Sequence, residues 1–328
     1  MSILPRAATD LRPSAPRRRF RNGEKTPFAF VLSHSFSGST LLSFLLGAHP
    51  EIATVGEMFI APSYNREGYP CSCGEPIESC AFWQEVSREM EARGVPFDIR
   101  DADTSLTAGP YGYLGNRVVW AEPRGPVLET VRKAALLGMP GVRRELDRRL
   151  EVNRQLAEVV MDLRGAHVFV DATKRPGRAL LLRRVPGLDL KIIHLVRDGR
   201  AVARSTIRNL GRTVEDGALS WRGSLGHADQ LRRLFPEDRW MVLRHEDLCR
   251  DPRHALEGVF RFLGVSPDQP IGDFRASDHH IIGNRMRLSR TSEIRLDERW
   301  RTEMTPDQIR TVERIAGSEL RRYGYVTG

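Results

Sequence analysis

Residues 31–42 read Val-Leu-Ser-His-Ser-Phe-Ser-Gly-Ser-Thr-Leu-Leu. An apolar strand over 28–32 runs into a loop of small residues, and an apolar helix over 40–46 follows. A Ser/Gly loop after a strand lets backbone N–H groups approach an anion closely. The next helix adds its unpaired N–H groups and the positive end of its dipole. The offsets of the Walker A loop, G-x-x-x-x-G-K-[ST], fall here on Ser33, Gly38, Ser39 and Thr40, so the first Gly and the Lys are both Ser. The Lys normally serves the β/γ-phosphates and the hydroxyl holds magnesium. No clear Asp-ending apolar strand offers a magnesium partner. Nucleotide kinases and GTPases are disfavoured. Taken alone, the loop also fits a plain Ser/Gly turn into a core helix.

A second segment decides between these. Residues 191–205 read Lys-Ile-Ile-His-Leu-Val-Arg-Asp-Gly-Arg-Ala-Val-Ala-Arg-Ser. The apolar, β-branched run Ile192–Val196 has the character of a buried parallel strand. Arg197 at its carboxyl end falls in the ligand crevice of an open α/β sheet. Asp198-Gly199 makes a turn, a helix spans 200–207, and Ser205 lies two turns in. A planar guanidinium suits a phosphate, and a hydroxyl adds one bond. The bland alternative is an Arg capping a helix with a Ser on its surface.

Together the two motifs resemble the sulfotransferases that use 3′-phosphoadenosine-5′-phosphosulfate (PAPS), which hold the 3′-phosphate with an Arg and a Ser at this separation. The resemblance covers roughly residues 28–328. Ala48-His-Pro-Glu-Ile52 followed by Val55-Gly-Glu-Met58 resembles a stretch of the tyrosylprotein sulfotransferases. Cys71-Ser-Cys-Gly74 and Cys80-Ala-Phe-Trp83 resemble a bacterial branch of the family. Val170-Asp-Ala-Thr-Lys-Arg175, Val242-Leu-Arg-His-Glu-Asp-Leu248, Phe262-Leu-Gly-Val265, His280-Ile-Ile-Gly-Asn-Arg-Met-Arg287 and Trp300 resemble later family segments. The motifs are specific in this order and weak singly. They imply an α/β, P-loop-like three-layer fold with a central parallel sheet and a helical and loop insertion after the first βα unit. They also imply PAPS as sulfuryl donor and a hydroxyl-bearing acceptor, with no catalytic metal. On the same grounds Ser35, Phe36, Ser37, Gly38, Ser39 and Thr40 cradle the 5′-phosphosulfate, and Arg197 and Ser205 hold the 3′-phosphate. Arg244, Asn284, Arg285 and Arg287 join the cofactor site.

The general base of the tyrosylprotein enzymes maps onto Glu57. The acceptor hydroxyl must lose its proton as the sulfuryl group arrives, and a carboxylate lifted in pKa by partial burial accepts it. His34 is the rival base. One departure stands out. Most relatives carry Lys or Arg two residues before the cradle Gly, a cation that stabilises the bridging oxygen as the sulfuryl leaves. Here the position is Phe36. Lys174, one of four lysines in the chain and placed at the end of a strand over 168–170, and His34 are the candidates for its work. The alternative for Lys174 is a surface residue in a turn before Pro176.

Cys71, Cys73 and Cys80 form C-x-C-x6-C, and Cys249 lies far away. The three thiols make part of a zinc set, but no His occurs between 50 and 166 to complete it, so a fourth ligand must come from elsewhere in the fold. A disulfide is the second reading, and free buried thiols are the plainest.

At 328 residues the chain is ample for one large domain. Of the net charge of +9, residues 1–25 contribute seven basic and two acidic side chains. This segment reads as a disordered basic tail without the apolar stretch of an export signal or anchor. Residues 26–328 read as a single domain, with 60–165 as a lid and acceptor-recognition insertion. That insertion holds one helix over 82–93 and two over 127–163. Further strands are expected at 168–170, 191–196 and 240–243, a long loop at 279–290 and a helix over 306–323. The cysteine usage and the lack of an export signal point to the cytoplasm. No nucleic-acid partner and no membrane span are expected. Two other classes stay open: a P-loop kinase acting on a small molecule, and a non-catalytic binder of PAPS or its product.

Overall fold

The computed structural model of the chain describes residues 24–58, 68–100, 103–106, 109–270, 272–277, 279–289 and 291–326. Most of the expected basic tail lies outside them.

Five strands form one parallel sheet: β1 (Thr26–Ser33), β2 (Ile52–Thr54), β3 (Val168–Lys174), β4 (Leu188–Val196) and β5 (Trp240–Arg244), in the order β2-β3-β1-β4-β5. The four strands read from the sequence are present, and β2 is a fifth, three-residue strand that sequence reading missed. Side chains alternate across the sheet. Phe28, Phe30 and Leu32 of β1 enter one core, and Ala29 and Val31 enter another. Burial on both faces explains why the parallel strands read as continuous apolar runs.

The helices are α1 (Ser39–Gly47), α2 (Ala81–Ala92), α3 (Gly112–Val119), α4 (Pro126–Leu137), α5 (Pro140–Arg164), α6 (Pro176–Leu182), α7 (Gly199–Leu210), α8 (Val214–Arg232), α9 (His245–Arg250), α10 (Pro252–Leu263), α11 (Trp300–Glu303) and α12 (Pro306–Arg322). One face of the sheet is covered by α2, α5 and α6, the other by α1, α9 and α10. A third cluster joins α7, α8, α11 and α12. This is the expected three-layer α/β arrangement. The segment after β2 builds part of the core. Its α2 and α5 bury Phe82, Trp83, Val86, Met90, Leu156 and Val160 against the sheet. Among the described residues no helix is long and apolar enough to cross a membrane.

Candidate active site

The carboxyl ends of β1, β3 and β4 lie side by side at one edge of the parallel sheet. β1 ends at Ser33, and the loop 34–38 leads into α1. Two unusual backbone conformations shape that loop. Phe36 has φ 67° and Gly38 has φ 90°. At Gly38 the glycine is needed twice over, because a Cβ there would lie 2.6 Å from His245 Cε1 and closer still to Nδ1. No side chain caps the N-terminus of α1, and its first turn carries no acidic residue. The N–H groups and dipole of that turn therefore face the loop as an anion site would require.

Arg197, one residue past β4, is joined directly to the loop. Its Nη1 donates to the Phe36 carbonyl at 2.8 Å, and its Nη2 donates to the Asp297 carbonyl at 3.1 Å. The Asp297 carboxylate lies 3.7 Å from Nη2 and 3.4 Å from Arg204. A hydrogen bond from the Arg299 guanidinium holds the Asp297 carboxyl well below the usual carboxylate range. Trp221 Nε1 donates to the Arg197 carbonyl at 3.1 Å, fixing the strand end. Three buried polar atoms around the loop have no hydrogen-bond partner: Ser33 Oγ, Ser37 Oγ and Arg197 Nε. Orphaned buried donors are costly unless something meets them, so the donor set fits an anionic ligand. Ser205 is buried, and its hydroxyl donates to the Ala201 carbonyl within its own helix at 2.9 Å.

Glu57 and Lys174 meet although 117 positions separate them. Lys174 Nζ pairs with Glu57 Oε1, with the side chains 17% and 19% exposed. Lys174 has φ 77° and lies opposite Leu32 of β1, immediately before the cradle opens. Glu57 is fixed from both sides of its backbone. Its N–H donates to the Ile282 carbonyl at 3.2 Å, and the Met58 N–H donates to Asp171 Oδ1 at 3.3 Å. Asp171 is buried, ion-paired to Arg178 at 2.7 Å, and also accepts from the Thr173 N–H at 2.9 Å. It braces the segments carrying both Glu57 and Lys174. This bracing part of Asp171 is not among the roles expected from the sequence. An acid in the middle of β3, between Val170 and Ala172, was the available signal.

His34 is turned differently. Its Nδ1 lies 2.8 Å from the Ser35 carbonyl and its Nε2 2.9 Å from Ser220 Oγ. Burial lowers its pKa from 6.5, against the opposing pull of the Ser35 carbonyl. His245, also missed, fills the space behind Gly38, and burial drives it down to about 3.

The remaining expected residues are dispersed. Arg244 stacks on Tyr325 with its guanidinium carbon 4.7 Å from the ring centroid. Asn284 Oδ1 accepts from the Met286 N–H at 3.0 Å, capping a short 3-10 turn, and Arg285 is exposed. Arg287 is buried, donating to the Gly283 and Pro70 carbonyls at 2.7 and 2.9 Å. These contacts tie the loop 279–289 to the segment around Tyr69. Cys71, Cys73 and Cys80 are free thiols and lie together, with His280 beside them.

Known proteins resemble this chain in sequence and in fold. The model of the sulfotransferase family, in the group numbered 3, matches residues 149–269. That match takes in β3, β4, Arg197 and Ser205, where the chain resembles the sulfotransferase family. The chain is 26% identical to carbohydrate sulfotransferase 2 of Homo sapiens, over 92% of the chain and 66% of that protein. It is 27% identical to carbohydrate sulfotransferase 5 of Mus musculus, over 43% of the chain and 42% of that protein. The chain thus spans less than two thirds of either relative. Its fold matches the sulfotransferase domain of the curacin biosynthetic pathway, with a TM-score of 0.52 at 17% identity over 90% of this chain and 98% of that one. It also matches the sulfotransferase domain of the Synechococcus PCC 7002 olefin synthase, with a TM-score of 0.51 at 23% identity over 91% and 98%.

Proposed function

We propose that this protein moves a sulfuryl group from PAPS to a hydroxyl of an acceptor, and that the acceptor is a carbohydrate or a similar polyol. The observation that carries the reading is the direct link between the two anion-binding elements. Arg197 grips the cradle through the Phe36 carbonyl and still presents a buried, unpartnered Nε. The acceptor class rests on the names of the relatives, which are carbohydrate sulfotransferases.

The donor supplies an activated sulfuryl group on a phosphate oxygen. The first turn of α1 and the loop hydroxyls hold the phosphosulfate end, and Arg197 holds the 3′-phosphate. Ser205 would join it by turning its hydroxyl away from Ala201. Glu57 takes the acceptor proton. Lys174 leaves Glu57 Oε2 for the acceptor while engaging Oε1. In that place it provides the fixed positive charge that Phe36 cannot. His34 is the weaker candidate, because an imidazole whose pKa burial lowers is neutral at physiological pH. The oxygen–sulfur bond to the acceptor forms as the bond to the phosphate oxygen breaks, leaving adenosine 3′,5′-bisphosphate.

Incubation with sulfur-labelled PAPS and an array of carbohydrate, phenol and lipid acceptors tests this. Label should appear in a hydroxyl-bearing product without added magnesium. Labelling of no acceptor, or transfer of phosphate from ATP instead, would overturn it.

A further inference from the structure

Four side chains from two distant parts of the chain converge beside the candidate active site. Cys71 and Cys73 flank a tight turn closed by the Gly74 N–H donating to the Cys71 carbonyl at 3.0 Å, with Gly74 at φ 102°. Cys80 occupies the N-cap of α2. His280 comes from the loop before the last helices, 200 positions later. Their ligand atoms all lie within 4.8 Å of one another.

The spacings discriminate among the fates of these thiols. A tetrahedral zinc ion with Zn–S of about 2.3 Å and Zn–N of about 2.0 Å requires sulfurs about 3.8 Å apart and a nitrogen about 3.5 Å from each sulfur. Cys73 and Cys80 Sγ are 3.7 Å apart. His280 Nδ1 lies 3.2 Å from Cys80 Sγ and 3.7 Å from Cys71 Sγ. A disulfide needs its sulfurs at about 2.05 Å. The His280 ring is oriented by stacking on Phe82, with centroids 4.4 Å apart and planes 3° apart. Three of the four residues are buried and only Cys73 reaches solvent.

We propose that Cys71, Cys73, Cys80 and His280 bind one zinc ion as a structural site. Three thiolates and one neutral imidazole fill the tetrahedron, so no position stays open for a substrate, and the three thiol protons leave as the ion binds. His280 binds through Nδ1 and keeps its proton on Nε2. The ion clasps residues 71–80 to the strap 279–283. Ser72 already meets that strap, its N–H donating to the Ile281 carbonyl at 3.2 Å and its Oγ to the His279 carbonyl at 2.8 Å. The strap in turn pairs with Gly56 and receives the Glu57 N–H on Ile282. Gly283 backs the Glu57 side chain so closely that a Cβ there would lie 2.9 Å from Glu57 Cγ. The zinc site therefore acts on Glu57 through a positioned strap, and it stands whether or not the acceptor assignment holds.

Metal analysis of the purified full chain, prepared without chelator, tests this. About one zinc per chain is expected, released by a mercurial that titrates thiolates. Cobalt(II) alone, added to metal-free protein, should give tetrahedral d–d bands and thiolate charge transfer. Changes in the outer shell alone cost 10–100-fold in affinity, so Cys73→Ser, at the exposed ligand, should weaken zinc binding by more than about 100-fold. His280→Phe keeps the stack on Phe82 and should lose the zinc. His280→Cys supplies a fourth thiolate and should retain it, which separates ligation from folding. Protein that holds no zinc and takes up neither zinc nor cobalt overturns the proposal. So does bound iron in place of zinc, or a Cys73–Cys80 disulfide seen as a two-dalton mass loss.

Discussion

Lys174 holds a left-handed backbone conformation, φ 77°, that costs a non-glycine residue roughly 1–2 kcal/mol. The strain aims its ammonium at Glu57. Lys174→Gly relieves the strain and removes the charge, so the melting temperature should hold or rise while the transfer rate falls about 10²–10³-fold. Equal losses of stability and rate would mark the lysine as merely structural. Glu57→Gln keeps the side-chain shape and should lower the rate about 10²–10⁴-fold with nucleotide affinity unchanged. An unaffected rate in single-turnover measurements would remove Glu57 as the base. Gly38→Ala drives a methyl into His245 and should weaken nucleotide binding more than about 10-fold, since misplaced cradle N–H groups lose charge-assisted bonds. Adding His245→Ala should restore part of it. No recovery in calorimetry would show that the contact with His245 is not what limits the loop.

At the scale of elements, β1, α1 and β4 were legible because they are continuous apolar runs ending in turn residues. The placement of Arg197 followed from the end of β4. β2 escaped because three residues carry no usable period. Ser205 falls on α7 two turns after Arg197, as the spacing implied, and its hydroxyl bonds back to Ala201. His280 as partner to the cysteines was not legible, because a contact across 200 positions leaves no trace in local spacing. Asp297 was missed likewise, sitting in an irregular segment yet facing Arg197. Buried histidines add a pH dependence that the elements share. His194 on β4 is pushed by burial down to about 4, and His245 at the start of α9 to about 3. Both stay neutral in the folded chain, whereas the unfolded chain protonates them near 6.5. Their stabilisation is complete above that value and is lost as pH falls through it toward about 4. Each contributes a slope of ~1.4 kcal/mol per pH unit, so thermal melting should drop by several degrees between pH 7.5 and 5.5. A flat melting temperature over that range would contradict the burial of neutral imidazoles.

At the scale of the whole molecule, the loop after β1 and Arg197 after β4, from separate halves of the chain, are brought together by the central pairing of β1 with β4. The central claim is that Arg197 reads a 3′-phosphate there. Calorimetric titration with adenosine 3′,5′-bisphosphate and with AMP tests it most directly. Loss of a charge-assisted pair costs roughly 1.5–3 kcal/mol, so the bisphosphate should bind about one to two decades more tightly, and Arg197→Ala should erase the difference. Equal affinities for the two nucleotides in the unmodified protein would contradict the account.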